Sequence, residues 1–230
     1  MNNQIYTYGN SNPVANATNV LNGKKLAACG DSITEGTSSH EQDEKGYYKN
    51  YAWFVAQRNN MTLYNDGISG TTMINNGNPN CFSVNRYKQI PLDSDYITIW
   101  FGINDSVNEQ NIGDIDSTDN TTFYGAWNVV VSYLIEHMPA TTKIGLVASH
   151  SMSNQKREVV LAIAKKYGLK VFDIYGDPNI PFWFNKPTAE APDEAVRTFR
   201  LEQWFVDGQH PSKAGYEVIS TAYENWLRTL

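Results

Sequence analysis

Two cysteines among 230 residues are too few for a disulfide framework. Cys29 ends an apolar run and reads as a small buried core residue rather than one half of a bridge. No apolar run approaches the roughly 20 residues a membrane-spanning helix needs. Residues 1–22 hold no Lys or Arg and no apolar core of a secretory leader; they are polar and Asn-rich. That stretch is expected to be a tail or linker, residues 1–23, ahead of one domain at 24–230. Such a chain belongs in the cytoplasm, or is one domain of a larger surface or virion protein. Basic residues are few: 18 Lys and Arg against 24 Asp and Glu give a net charge of −6 and a pI near 5.2. The balance argues against nucleic acid or an anionic membrane as a partner. No H-x-x-x-H or C-x-x-C spacing marks a metal site, so neither metal nor cofactor is expected.

What the chain does have is a core's worth of apolar residues, 41% of the total, with 18% charged. The apolar residues fall into two alternating patterns. Short β-branched or aromatic runs at Leu26–Cys29, Thr62–Asn65, Tyr96–Phe101, Ile144–Ser149 and Lys170–Ile174 predict strands. Between them, stripes at helical spacing run through Tyr47–Arg58, Phe123–Met138, Val159–Tyr167 and Tyr216–Leu230. Strands alternating with helices predict an α/β fold, a flavodoxin-like three-layer α/β/α sandwich around a parallel sheet of about five strands. Residues 175–206 form a long connection without clear periodicity, rich in Pro and aromatics, and connections of that length tend to be functional.

In such a sheet, ligands bind beyond the carboxyl ends of the strands. Four motifs fall there: Gly30-Asp31-Ser32-Ile33-Thr34, Asn65-Asp66-Gly67-Ile68-Ser69-Gly70, Gly102-Ile103-Asn104-Asp105 and Asp207-Gly208-Gln209-His210-Pro211. Each alone is an ordinary turn. A serine hydroxyl becomes a useful nucleophile only beside a base, and imidazole is the side chain whose pKa suits that task. A carboxylate must then orient the imidazole. With Asp207 only three residues before His210, one turn can present both. Pro211 biases His210 away from helical geometry and suits the first position of the following helix. Thr34 stands where a G-x-S-x-G nucleophile elbow would need glycine, so the α/β-hydrolase pattern is not completed.

Taken together and in this order, the four motifs resemble the signature blocks of the SGNH (GDSL-like) hydrolases, over residues 24 to about 228. The resemblance implies a serine esterase with Ser32 as nucleophile and Asp207 and His210 completing a triad. It also implies an oxyanion hole formed by Ser32, Gly70 and Asn104. Gly70 is preferred to Gly67 because it ends the Ile-Ser-Gly triplet. Glycine and a neutral carboxamide both suit donation to a developing oxyanion. Asp31 and Asp105 are expected to support their loops.

Three residues are further candidates for substrate contact: His150, which follows the fourth strand, and Trp183 and Trp204 in the long connection. His40 and His137 read as ordinary loop and helix residues. The expected substrate is a small-molecule or glycan ester, with a short acyl group, acetyl foremost, on carbohydrate. A lipid esterase or lysophospholipase is one alternative, and a catalytically vestigial glycan-binding domain of a surface or phage tail protein is another. Residues 31–45 and 105–119 together carry ten of the 24 acidic residues and one basic residue, which predicts a site mouth that repels anionic substrates.

Overall fold

The structure, a computed structural model, describes residues 19–182 and 194–230. In chain order the elements are β1 (Lys25–Gly30), α1 (Ser32–Glu35), α2 (Tyr51–Arg58), β2 (Thr62–Gly67), β3 (Tyr96–Trp100), α3 (Phe123–His137), β4 (Lys143–Ala148), α4 (Asn154–Tyr167), β5 (Lys170–Asp173), α5 (Glu194–Trp204) and α6 (Lys213–Leu227). The five strands form one parallel sheet in the order β2-β1-β3-β4-β5. This is the flavodoxin-like α/β arrangement that the alternation of strand and helix patterns predicts.

The period of two along each strand divides the core into two layers. Ala27, Cys29, Ile97 and Ile99 point to one face, where α3 and α4 bury Phe123, Trp127, Val130, Val159 and Ile163. Leu26, Ala28, Tyr96 and Trp100 point to the other, where α2 and α6 bury Tyr51, Val55, Tyr216, Ile219 and Tyr223. Large apolar side chains taken fully out of water contribute about 1.5–3 kcal/mol each, so these stripes hold the helices to the sheet. Polar tips in the second layer are satisfied in place: Tyr51 and Thr34 share a hydroxyl hydrogen bond of 2.9 Å, and Tyr223 and Thr98 one of 2.7 Å.

Helix starts follow from single side chains. Asn50, Thr122, Ser153 and Ser212 each accept a backbone N–H from the first turn of α2, α3, α4 and α6. Because Ser212 is the cap of α6, Pro211 lies ahead of the helix and not at its first position.

The structure bears on three further expectations. Of the segment expected as a tail, Leu21 is fully buried, and the Asn19 side chain bonds those of Asn59 and Arg228. The rest of the expected tail lies outside the described residues. The connection after β5 contains a helix, α5, none of whose residues is buried. Both cysteines are buried and free, as read for Cys29.

Candidate active site

Chain geometry at the end of β1 sets the first piece. A side chain at Gly30 would overlap the Thr34 hydroxyl and come within 2.9 Å of the Trp100 carbonyl, so only glycine lets β1 turn this sharply into α1. Asp31 caps α1 by accepting the Ile33 N–H at 3.0 Å. Its carboxyl is almost completely buried, and that burial pushes its pKa up to about 7, against the hydrogen bond from Ile33. Ser32 follows as the first residue of α1, at the carboxyl edge of the sheet.

The last piece comes from 178 residues away. The Ser32 hydroxyl lies 2.9 Å from His210 Nε2, and His210 Nδ1 lies 2.7 Å from Asp207 Oδ2. Asp207 Oδ1 also accepts the backbone N–H groups of Gln209 at 3.0 Å and His210 at 2.7 Å. Partial burial works to raise the Asp207 pKa, but these hydrogen bonds outweigh it and hold the carboxylate below its ordinary value. An ionised Asp207 places the imidazole proton on Nδ1, which leaves Nε2 to accept from Ser32. The turn itself is closed by Val206 N–H on the His210 carbonyl, 2.9 Å, and Ser212 N–H on the Trp204 carbonyl, 2.8 Å.

Two further loops reach the same cleft. At the last residue of β2, a side chain at Gly67 would collide with the backbone of Thr34 and Glu35, so glycine here lets the strand end lie against α1. The Glu35 carboxylate accepts both the Ser69 N–H, at 2.8 Å, and the Ser69 hydroxyl. Gly70 follows at φ +74°, a left-handed conformation that suits glycine. After β3, Asn104 Nδ2 donates to the Thr71 carbonyl at 3.0 Å, which leaves its second amide hydrogen for the cleft. Asp105 accepts the N–H groups of Met73 at 3.1 Å and Ile74 at 2.8 Å; burial raises its pKa to about 6 despite them. Asp31 and Asp105 thus brace their loops.

Three bracing residues carried no signal in the sequence. The buried Arg86 guanidinium donates to the Gly30 carbonyl at 3.1 Å and the Thr71 hydroxyl at 2.9 Å, and pairs with Asp66 at 3.3 Å. It therefore ties the first loop to the second. Lys156 Nζ donates to the Gly102 carbonyl at 2.7 Å and holds the third. Glu35 entered the sequence reading only as a charge. In each case the partner lies tens of residues away, so no local spacing reveals it.

Ser32, Ser69, Gly70, Asn104, Asp207 and His210 line an open cleft of about 420 Å³, together with Thr37, Ser38, His40, Val206 and Gln209. The structure brings Ser32, Gly70, Asn104, Asp207 and His210 together there. It does not bring His150. That imidazole is fully buried against Trp100, Phe182 and Phe205, with Nε2 2.8 Å from the Gln209 carbonyl. Burial lowers its pKa to about 4, so the neutral ring donates Nε2–H and steadies the His210 turn from behind. Trp204 is half-buried under Phe182, Phe199 and Arg200 and does not line the cleft; Trp183 lies outside the described residues. His40, read as an ordinary loop residue, does line it.

The acidic mouth is also corrected. No residue of 105–119 lines the cleft. Asp31 and Asp105 face inward, Glu41 is paired with Lys49 at 3.1 Å and Lys213 at 2.9 Å, and Asp116 with Lys166 at 3.1 Å. Counting charges along the sequence overstated the field because burial and distant partners remove much of it.

No helix among the described residues is long and apolar enough to cross a membrane. Among the described residues no group of three or more His, Cys, Asp or Glu side chains is placed to hold a metal ion. A hydroxyl, an imidazole and an ionised carboxylate in one hydrogen-bonded line can move a proton off the hydroxyl as it attacks an electrophile.

Solved structures share this architecture. A protein from Lactobacillus plantarum matches at 24% identity and a TM-score of 0.70, over 90% of this chain and 98% of its own. Axe2, an acetylxylan esterase from Geobacillus stearothermophilus, matches at 21% identity and a TM-score of 0.57, over 91% and 96%. A candidate GDSL-like lipase from Bacteroides ovatus matches at 21% identity and a TM-score of 0.63, over 90% and 99%. At these identities the likeness is one of fold. No curated protein sequence matches the chain. The model of the GDSL-like lipase/acylhydrolase family, however, matches residues 28–218, a span that contains all four loops of the cleft, and the chain belongs to that family.

Proposed function

We propose that this protein is a serine ester hydrolase that removes short acyl groups, acetyl foremost, from carbohydrate through an acyl-serine intermediate. The observation that carries the reading is the Ser32–His210–Asp207 line, with spacings of 2.9 and 2.7 Å, opening onto a cleft. Ser32 Oγ attacks the acyl carbonyl carbon as His210 Nε2 takes its proton. The Ser32 and Gly70 backbone N–H groups and the free Asn104 amide hydrogen receive the oxyanion. Collapse expels the alcohol, which takes the proton from His210. Water then repeats the sequence on the acyl-serine and releases the acid.

The cleft lining favours a short acyl group over a lipid chain. Among the described residues Val206 is the one apolar side chain that lines it; the others, Gly70 apart, carry hydroxyl, amide, imidazole or carboxylate groups. Axe2, which shares the fold, acts on acetylated xylan, and this supports a carbohydrate ester as substrate. The intact hydrogen-bonded line weighs against a vestigial binding domain.

The test is hydrolysis of p-nitrophenyl esters with labelling by a fluorophosphonate probe. Ser32→Ala is expected to abolish labelling and nearly all turnover in a folded protein, since nucleophile and base act as a unit. Acetyl esters are expected to outrun octanoyl esters in kcat/KM. Normal turnover by folded Ser32→Ala sinks the triad, and a preference for octanoyl sinks the short-chain reading.

A further inference from the structure

The side chains around Ser32 divide into two sets. One set spends its hydrogen bonds on the protein. Ser38 Oγ donates to the Pro211 carbonyl at 2.7 Å and meets Tyr216 OH at 3.2 Å, Ser69 is held by Glu35, and Asp207 and His210 hold each other. The other set is Thr37, His40 and Gln209. Their side chains have no hydrogen-bond partner among the described residues, yet all three line the cleft. The cleft's roughly 420 Å³ exceeds what a two-carbon acyl group fills, which is a few water volumes of roughly 30 Å³ each.

We infer that Thr37, His40 and Gln209 form a subsite for the alcohol half of the ester and that this alcohol is a polyol, as in a sugar ring. A hydroxyl, an imidazole and a carboxamide each donate and accept, the capacity that sugar hydroxyls require. Two features present these groups in fixed positions. His40 holds a left-handed backbone at φ 54°, uncommon outside glycine and a conformation found concentrated at functional sites. Its loop is pinned by Ser38 to the segment that carries His210, so base and subsite move as one piece. Gln209 is held by its own backbone: its N–H donates to Asp207 and its carbonyl accepts from His150. The carboxamide can therefore be removed without cutting that support. A site built to bond hydroxyls discriminates against esters whose alcohol lacks them.

This inference rests on the esterase reading, and the experiment separates the two. The measured quantity is the ratio of kcat/KM for acetylated xylo-oligosaccharide to that for p-nitrophenyl acetate, whose leaving group has no further hydroxyl. His40→Gly removes the imidazole while suiting the left-handed backbone, and Gln209→Ala removes the carboxamide. Each is expected to lower the ratio on the order of 5-fold, and the pair about 30-fold, at one neutral hydrogen bond per side chain. His40→Asn, which tolerates that backbone and keeps an amide, should recover part of the ratio. If the double variant does not fold, the single variants carry the same comparison. A ratio unchanged in folded variants, or wild-type protein that hydrolyses p-nitrophenyl acetate but not the oligosaccharide, overturns the subsite and leaves the esterase standing. Absence of turnover on both esters overturns the two together.

Discussion

Replacing Asp31 by Asn removes a buried charge while keeping the oxygen that caps α1. Asp31 Oδ1 accepts the Ile33 N–H, whereas Oδ2 is buried with no hydrogen-bond partner among the described residues. Burial, helped by the nearby Asp105, lifts the folded-state pKa to about 7, against the ordinary 3.8 that the unfolded chain keeps. Below pH 3.8 the group is neutral in both states and costs nothing. Above it the unfolded chain ionises while the folded one holds its proton, so stability is lost as pH rises until the folded carboxyl ionises as well. The loss is about 1.5 kcal/mol at pH 5 and about 4 kcal/mol at pH 8. In Asp31→Asn the amide nitrogen takes the place of Oδ2 and meets the same lack of a partner, an offset of about 1–3 kcal/mol that does not depend on pH. The slope is therefore the quantity to measure. Urea unfolding of both proteins at pH 5 and pH 8 should show the variant gaining about 2–3 kcal/mol on the wild type between the two values. A gap that stays constant, or that narrows toward pH 8, refutes the account of Asp31 as a carboxyl held neutral by burial.

In Asp207→Asn the carbonyl oxygen stays with the Gln209 and His210 N–H groups, so the amide nitrogen faces His210 Nδ1 and donates to it, favouring the wrong tautomer; kcat should fall on the order of 10⁴ while the cleft stays intact. Asn104→Ala removes one proposed oxyanion donor and should lower kcat on the order of 10²–10³, with less effect on KM in steady-state assays. Because Ser32 and His210 carry the proposed chemistry, EDTA should leave turnover unchanged, and loss with rescue by one particular metal would point to a site not recognised above.

The sheet was legible because its central strands β1, β3 and β4 are largely buried and read as near-continuous apolar runs, while the half-exposed edge strands β2 and β5 still carry β-branched or aromatic residues between turns; all five lie within two residues of their predicted ends. Helices α3, α4 and α6 were legible because each buries a stripe. Helix α5 was not, for the converse reason: it buries no residue, so nothing imposed a period on Glu194–Trp204. The four-residue α1 was too short to show one. The chemistry-bearing motifs were visible because the proposed nucleophile, base and oxyanion donors sit in short segments at strand ends and one turn, where glycine, serine, asparagine and histidine stand out. What surrounds them was not, since it is set by long-range packing. His150 and His40 exchange their expected places because burial, a property of the fold, decides which imidazole meets solvent. Arg86 likewise gains its meaning only when β1 and the loop after β2 are brought together around it.

The distance along the chain between Ser32 and His210 has a consequence for biosynthesis. On the proposed mechanism a nascent chain displays its nucleophile early but has no base until another 178 residues have been added. At 5–20 residues per second that interval lasts roughly 9–36 s. Throughout it the serine is a plain hydroxyl, without the imidazole that would activate it. Ester turnover therefore reports that translation has passed His210 and that the final helix has docked, and a ribosome stalled before that point carries a silent enzyme.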